Sequence, residues 1–289
     1  METKLNKVMK YVALTFLAAF AIVANQAVAQ DVKRSIEQVT DDIYRFQNNF
    51  HNAMFVVTED GIVVTDPINA DAVAWLKEEL ANRFDKPVTH MILSHSHGDH
   101  ASGGQGWGNI EVVAHANAKK NVEAGKVDTA VPTVTFLDTH SFSAGGKDFE
   151  LTYLGMGHGD DLIATVVRPD NVAFVVDAVS PGRVPFRDFP GADIDGLIKQ
   201  IKAVEGLDFE IMVPGHSRNG NRQDATDARI YVEKLRAGVL EALKQGKSDE
   251  EIVASDLMAD YSDWGAYGQW RDLNVQGMAR WLRASGKVN

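Results

Sequence analysis

His95-Ser96-His97-Gly98-Asp99-His100 places three imidazoles and a carboxylate in six consecutive residues. Each of these side chains ligates divalent first-row metals, and neither a core nor an ordinary surface calls for them together. The residues before it, Val88-Thr89-His90-Met91-Ile92-Leu93, form a short apolar run that reads as a buried strand. Those after it, Ala101-Ser102-Gly103-Gly104, are small. The ligands therefore belong to a turn at the carboxyl end of a strand, where open α/β sheets carry their sites. In extended chain His95 and His97 point to one side. Gly98 then lets the chain turn, so that Asp99 and His100 face a second position. The arrangement suggests two metals rather than one.

Further candidate ligands lie downstream, each at a strand end or among glycines. Gly155-Met156-Gly157-His158-Gly159-Asp160-Asp161 follows a strand expected at Phe149–Leu154. Asp177 ends a strand at Val172–Val176, and Pro214-Gly215-His216 follows one at Glu210–Val213. In order and approximate spacing, His95–His100, Gly157-His158, Asp177 and Pro214-Gly215-His216 resemble the ordered signature of the metallo-β-lactamase superfamily. The resemblance runs from about Ile43 to His216. It implies an α+β fold, an αββα sandwich of two facing mixed β-sheets with helices on the outer sides.

The resemblance also implies the ligand sets. Equivalents of His95, His97 and His158 hold the first metal, and those of Asp99, His100 and His216 the second. An Asp at the position of Asp177 bridges the two in many members. Lactamases of the superfamily with a cysteine ligand carry it where this chain has Asp177, and they lack a histidine at the His100 position. This chain has no cysteine at all. Asp177 is similar instead to the acidic residue of the glyoxalase-II-like and other broad hydrolase branches. Gly159 stands where a threonine commonly follows the third histidine.

With 45% hydrophobic and 24% charged residues, the 289-residue chain has the composition of a globular enzyme and not of a disordered one. The N-terminus reads differently. Lys4, Lys7 and Lys10 precede an apolar run from Tyr11 to Ala24, followed by Ala27-Val28-Ala29. That is the order of a secretory signal peptide, cleaved before Gln30. The run is too short for the ~20 residues of a membrane span, so no stable membrane anchor is expected, and the mature protein is expected to be periplasmic or secreted. The whole chain carries a formal net charge of −11. The leader holds three lysines against one glutamate, so the remainder is more acidic still. Such a surface repels nucleic acid, which makes a nuclease a poor reading.

The expected organisation is a signal peptide over residues 1–29, a catalytic domain over 30–223 and a helical C-terminal extension over 224–289 packed on it. Asp42–Phe46, Ala53–Thr58 and Gly61–Thr65 read as a strand meander. A helix follows at about Asn69–Phe84, with Asn69 as N-cap and Val73, Leu76 and Leu80 on one face. Glu111–Ala114 is a strand, with a short helix through Lys119-Lys120 after it. The second half repeats the theme with Phe149–Leu154, Ile163–Val167 and Val172–Val176, then a helix at about Ile194–Val204. In the extension, Asp224–Gln245 is a long helix, Ser248-Asp249-Glu250-Glu251 a capping box, and a terminal helix carries Trp270, Leu273 and Trp281. A helical layer on the sandwich and a partner-binding appendage are the two readings of this extension.

Among the remaining candidates, Asp66 resembles a family position that supports the ligand loops, and turn capping is an equal reading. His115 begins a helix. His51, His90 and His140 have no partner in the motif, and all four histidines read as structural. The segment Val179–Gly191 follows Asp177 and contains Arg183, Phe186, Arg187 and Phe189. It is a candidate substrate-binding loop with Arg183 and Arg187 available for a carboxylate, or else an ordinary exposed loop.

The chemistry follows from the ligands. Two Zn2+ ions ~3.5–4 Å apart share a water and make it hydroxide near neutral pH, and Asp99, the candidate catalytic residue, orients it. No Ser or Cys nucleophile is required. The expected function is a secreted or periplasmic di-zinc hydrolase cleaving a small ester, thioester, lactone or β-lactam. Spacing alone also accommodates iron or manganese. The alternatives are an iron-dependent persulfide dioxygenase-like oxidoreductase of the same superfamily and a non-catalytic metal-binding accessory protein.

Overall fold

Alternation along the strands settles which way the chain folds. In β3 (His51–Val57), Met54 and Val56 point into one apolar cluster while Ala53 and Phe55 point into another. The same switch occurs in β4 (Ile62–Val64), β5 (Val88–Ile92) and β6 (Glu111–His115), where Val63, Ile92 and Val113 face the first cluster. Ile62, Val64, Met91, Val112 and Ala114 face the second. A sheet apolar on both faces must be covered on both.

The computed structural model describes residues 32–288, so the predicted signal segment 1–29 lies outside the described residues. β1 (Arg34–Gln38), β2 (Ile43–Asn48), β3 and β4 form an antiparallel meander, and β5, β6 and β7 (Val134–Phe136) continue it in parallel to make a seven-stranded mixed sheet. The parallel steps need crossovers. They run through α1 (Ala70–Phe84) and, between β6 and β7, through α3 (Ala116–Glu123). These two helices supply Val73, Leu76, Leu80, Ala118 and Val122 to the outer cluster. The Asn69 side chain caps α1 by accepting from Ala72 N at 2.8 Å, as its sequence predicts.

The second sheet has five strands in the order β12-β11-β10-β9-β8. They are β8 (Thr139–Ala144), β9 (Lys147–Tyr153), β10 (Ile163–Arg168), β11 (Val172–Val175) and β12 (Ile211–Pro214). Only β11 and β12 pair in parallel, across α4 (Ile194–Glu205). The inner faces of both sheets, α4 and the C-terminal helices share one apolar cluster. The architecture is therefore the αββα sandwich, two mixed sheets with helices outside.

α5 (Arg222–Lys244) opens on a capping box formed by Asn221 and Asp224 and buries Tyr231, Leu235 and Val239. α6 (Asp249–Val253) opens on the Ser248–Glu251 box that its sequence predicts. α7 (Tyr267–Ala284) buries Val275, Met278 and Leu282, whereas Trp270, Leu273 and Trp281 are only half-buried. Among the described residues, no helix is long and apolar enough to cross a membrane.

Candidate metal centre

The motif residues leave the end of β5 and turn at once into α2 (Gly98–Ala101), a single helical turn. His97 remains extended, with φ −69° and ψ 141°, so the chain bends at Gly98 as the sequence implies. His95 and His97 meet edge to face with ring centroids 4.5 Å apart. His158 arrives from the loop after β9, and its Nε2 lies 2.9 Å from His97 Nδ1. On the other side His216, just after β12, brings its Nε2 within 3.1 Å of His100 Nε2.

Asp177 sits between the two groups. Its Oδ2 lies 3.3 Å from His95 Nε2 and 3.0 Å from His158 Nε2. Its Oδ1 lies 3.5 Å from His100 Nε2 and 3.1 Å from His216 Nε2. The backbone of Asp177 has φ 56°, a left-handed conformation unusual for a residue other than glycine. Asp and Asn adopt it more readily than most, and here it turns the carboxylate back across the strand ends. Asp99 is half exposed, 3.4 Å from His51 Nε2, 3.7 Å from His100 Nε2 and 3.9 Å from His216 Nε2.

Packing holds these side chains in place. Asp66 is buried and accepts from Ser94 N at 2.8 Å and from Ser94 Oγ at 2.6 Å. Its Oδ2 also lies 3.2 Å from His100 Nδ1, so it braces the second group of ligands. Asp161 accepts from Ser96 N at 2.9 Å, and Gln200 on α4 accepts from His158 N at 2.7 Å. His216 Nδ1 faces the Phe50 carbonyl at 2.8 Å, which fixes that nitrogen as donor and leaves Nε2 its lone pair. Gly215 allows close approach: a Cβ there would stand 2.8 Å from His100 Cε1 and 2.6 Å from Val176 Cγ1.

The electrostatics follow from this crowding. Burial, aided by His95 and His158, lowers His97 to about 4, so its ring is neutral and free to donate a lone pair. Burial also works against charge on His100 and His158, but Asp177 outweighs it and raises both. Burial pushes Asp177 up, and His100 and His158 more than reverse that, holding it well below the usual carboxylate range. For Asp99, burial is likewise outweighed, here by the His51 hydrogen bond and the His100 charge, and its carboxyl is held low.

The donor set fits divalent metal. His95 is fully buried, yet its Nε2 makes no hydrogen bond. A buried polar nitrogen without a partner is costly, and this one points among other ligand atoms. Three groups have ligand atoms within 4.8 Å of one another: His95, His97, His158 and Asp177; His100, Asp177 and His216; and His51, Asp99 and His216.

A family model described as the metallo-beta-lactamase superfamily matches residues 47–216. The chain belongs to the metallo-β-lactamase superfamily. A superfamily relative, the type 2 metallo-beta-lactamase of Elizabethkingia meningoseptica, is 26% identical over 174 residues, covering 57% of this chain and 70% of that protein. The metallo-beta-lactamase IND-1 of Chryseobacterium indologenes is 30% identical over 122 residues, covering 42% of this chain and 51% of the relative. The solved structure of a metallo-beta-lactamase from Pontibacter korlensis superposes with a TM-score of 0.63 at 16% identity, covering 70% of this chain and 99% of that one. At that identity the last likeness speaks for the superfamily fold.

One expectation needs correction. His51 is not a detached structural histidine: β3 begins at it, and the fold carries its ring to 4.9 Å from that of His216. His90 stacks on Phe142, and His115 caps α3 while facing the Leu137 carbonyl at 2.9 Å. His140 stacks on Phe136. Gln200 carries no signal in the motif either, and Asp161, though it ends the Gly155–Asp161 stretch, acts by accepting from Ser96 N rather than as a ligand. Of the two candidate arginines, Arg183 lines a cleft of about 620 Å³ beside the ligands. Arg187 is not among the residues lining it, and its backbone oxygen instead accepts from Asn274 Nδ2.

Proposed function

We propose that this chain is a secreted or periplasmic di-zinc hydrolase acting on a small ester, thioester, lactone or β-lactam. One observation carries the reading: Asp177 offers one carboxylate oxygen to His95 and His158 and the other to His100 and His216. His95, His97 and His158 would hold one ion, Asp99, His100 and His216 the other, with Asp177 shared between them. All-nitrogen and oxygen ligands of this kind suit zinc. When bound, two such ions lower the pKa of a water towards neutrality and polarise a carbonyl oxygen.

The protein's own groups do the rest. Asp99 stays ionised and half exposed, so its free carboxylate oxygen can accept a hydrogen bond from the attacking water and orient it. Asp66 and the Phe50 carbonyl keep the rings of His100 and His216 fixed, so the geometry is set before substrate arrives. The deciding experiment is metal analysis of protein purified without added metal, together with a hydrolysis panel that includes a chromogenic cephalosporin. Two zinc ions per chain and turnover of a panel member are expected. One tightly held iron and no hydrolysis would replace the proposal with the dioxygenase reading. The leader's basic, apolar and small-residue order supports export, and N-terminal sequencing of exported protein should begin at Gln30.

Two variants test the parts. Asp66→Ala should weaken metal binding by ~10- to 100-fold, as loss of a group that orients a ligand does. A metal titration reads this directly, and unchanged affinity would reduce Asp66 to a turn cap. Arg183→Ala should raise KM for an anionic substrate by roughly ten- to a hundredfold, the ~1.5–3 kcal/mol of a charge-assisted hydrogen bond, while metal content stays constant. Arg187→Ala, which alters a side chain outside the cleft lining, should leave KM near wild type. Equal effects of the two would mean that the loop acts by packing alone.

A further inference from the structure

The cleft is larger and more apolar than a centre for small polar substrates needs. Its volume of about 620 Å³ begins at His97, Asp99, His158, Asp177 and His216 and continues between α4 and α5. Leu197, Ile201 and Val232 line it and are buried aliphatic side chains. Its rim is aromatic and accessible, with Phe50 75% and Phe186 55% exposed, whereas Phe189 is buried with the aliphatic side chains. An aliphatic interior with an aromatic rim suits an alkyl chain entering from the metal side.

Part of this lining lies beyond the stretch matched to the superfamily. Ala228, Val232, Trp264 and Trp270 line the cleft, whereas the family match ends at residue 216. The C-terminal segment is also tied to the loop after Asp177. Gly265 N donates to the Gly182 carbonyl at 2.8 Å, and Val184 N donates to the Gly265 carbonyl at 3.1 Å. Asn274, fully buried, donates from Nδ2 to the carbonyls of Pro185 and Arg187. Gly277 lets α7 press on the loop, since a Cβ there would stand 2.2 Å from the Asp188 carbonyl oxygen. Phe186 and Arg183 both pack on the Trp270 ring, at 4.9 Å and 4.4 Å. The wall is thus built and braced by tertiary contacts, as a preformed ligand pocket is.

We infer that the C-terminal helices form a substrate pocket, and that the substrate carries a medium-length alkyl acyl chain seated between α4, α5 and the Trp264–Trp270 wall. The inference rests on the hydrolase reading for the fate of the acyl bond and on the cleft alone for the chain. Hydrolysis adds the elements of water across the acyl–oxygen or acyl–sulfur bond, leaving a fatty carboxylate and an alcohol or thiol.

The test has two arms on the metal-loaded protein. In the first, para-nitrophenyl acetate, butanoate and octanoate are compared, and kcat/KM should rise about three- to fourfold per methylene, the ~0.8 kcal/mol of a buried CH2. In the second, decanoate and acetate are titrated against tryptophan fluorescence, with only decanoate expected to bind. Ala228→Trp, which fills the cleft, should abolish both the chain-length preference and decanoate binding while metal content persists. Trp270→Ala should move the preference to longer chains, and it keeps the test open if the larger side chain at 228 prevents folding. Decanoate binding that Ala228→Trp removes, with no ester hydrolysed, would sustain the pocket and sink the hydrolase reading. Turnover without chain-length preference, or decanoate binding indifferent to both variants, would overturn the pocket. A phenyl ester outrunning every alkyl ester would overturn the alkyl assignment.

Discussion

Asp177→Ala should cost the protein at least one of the two metal ions proposed for it and nearly all turnover. The carboxylate touches four imidazoles, two with each oxygen, so its removal takes a ligand from both groups at once. The loss in affinity should exceed the ~10- to 100-fold typical of an outer supporting residue. The second site should suffer most, because its remaining ligands are the half-exposed Asp99, His100 and the distant His216. Asp177→Cys should do better than Ala, since a thiolate also ligates zinc. It should still fall short of wild type, because φ 56° suits Asp better than Cys. Metal titration and turnover of both variants are the measurements. Two ions held at wild-type affinity in Asp177→Ala would leave Asp177 as a strand-end residue with no bridging part.

Chelation should lower the melting temperature by about 10 °C, together with loss of activity. A ligand bound only by the folded chain at 1,000 times its Kd stabilises by ~4 kcal/mol, and each kcal/mol moves the Tm of a chain this size by roughly 2–4 °C. The ligands come from both sheets: the turn after β5 on one side, the ends of β9, β11 and β12 on the other. On the proposed function, metal would therefore add to the packing and the few hydrogen bonds that already join these elements, such as Asn52 N to the Gly215 carbonyl at 2.7 Å and Ile163 N to the Ser94 carbonyl at 2.9 Å. The increment should grow with pH, because loading displaces the protons that Asp177 holds on His100 and His158. In the metal-free protein the signs differ by group. The depressed Asp177 stabilises above the ordinary carboxylate range and loses that as pH falls through its folded value. The raised His100 and His158 stabilise below their ordinary value and lose it as pH rises through theirs. Calorimetric melts with and without chelator across this range are decisive, and identical curves would refute a metal held by the folded state.

The legible parts of the fold are those whose sequence pattern reports two neighbours. β3 to β6 and α1 carry enough buried apolar positions to be read, and Asn69 and Ser248 announce their helices because capping is local. β1, β7 and β8 were not expected. Each is a sheet edge with little apolar content: in β1 only Ile36 and in β8 only Phe142 is a large apolar side chain, and β7 has three residues. The site divides the same way. His95 to His100 stand out because four of six adjacent residues carry metal-ligating side chains. His51 was misread because nothing near it in sequence says that β3 begins beside His216. Asp66, Asp161 and Gln200 act through hydrogen bonds that exist only after the sheets have closed.

The hairpin between β2 and β3 has a consequence of its own. Its tip residue, Phe50, presents its side chain to the cleft and its carbonyl to His216 Nδ1. One residue therefore answers to two binding events. Coupling between them is reciprocal by thermodynamic necessity. An occupant that draws the tip inward or outward would move the carbonyl that orients the His216 ring, and with it the grip on an ion held there, by the same factor that the ion would alter the grip on the occupant. On the proposed function, metal affinity and occupant affinity would be linked equilibrium quantities, and a binding measurement of either at fixed levels of the other would report on both.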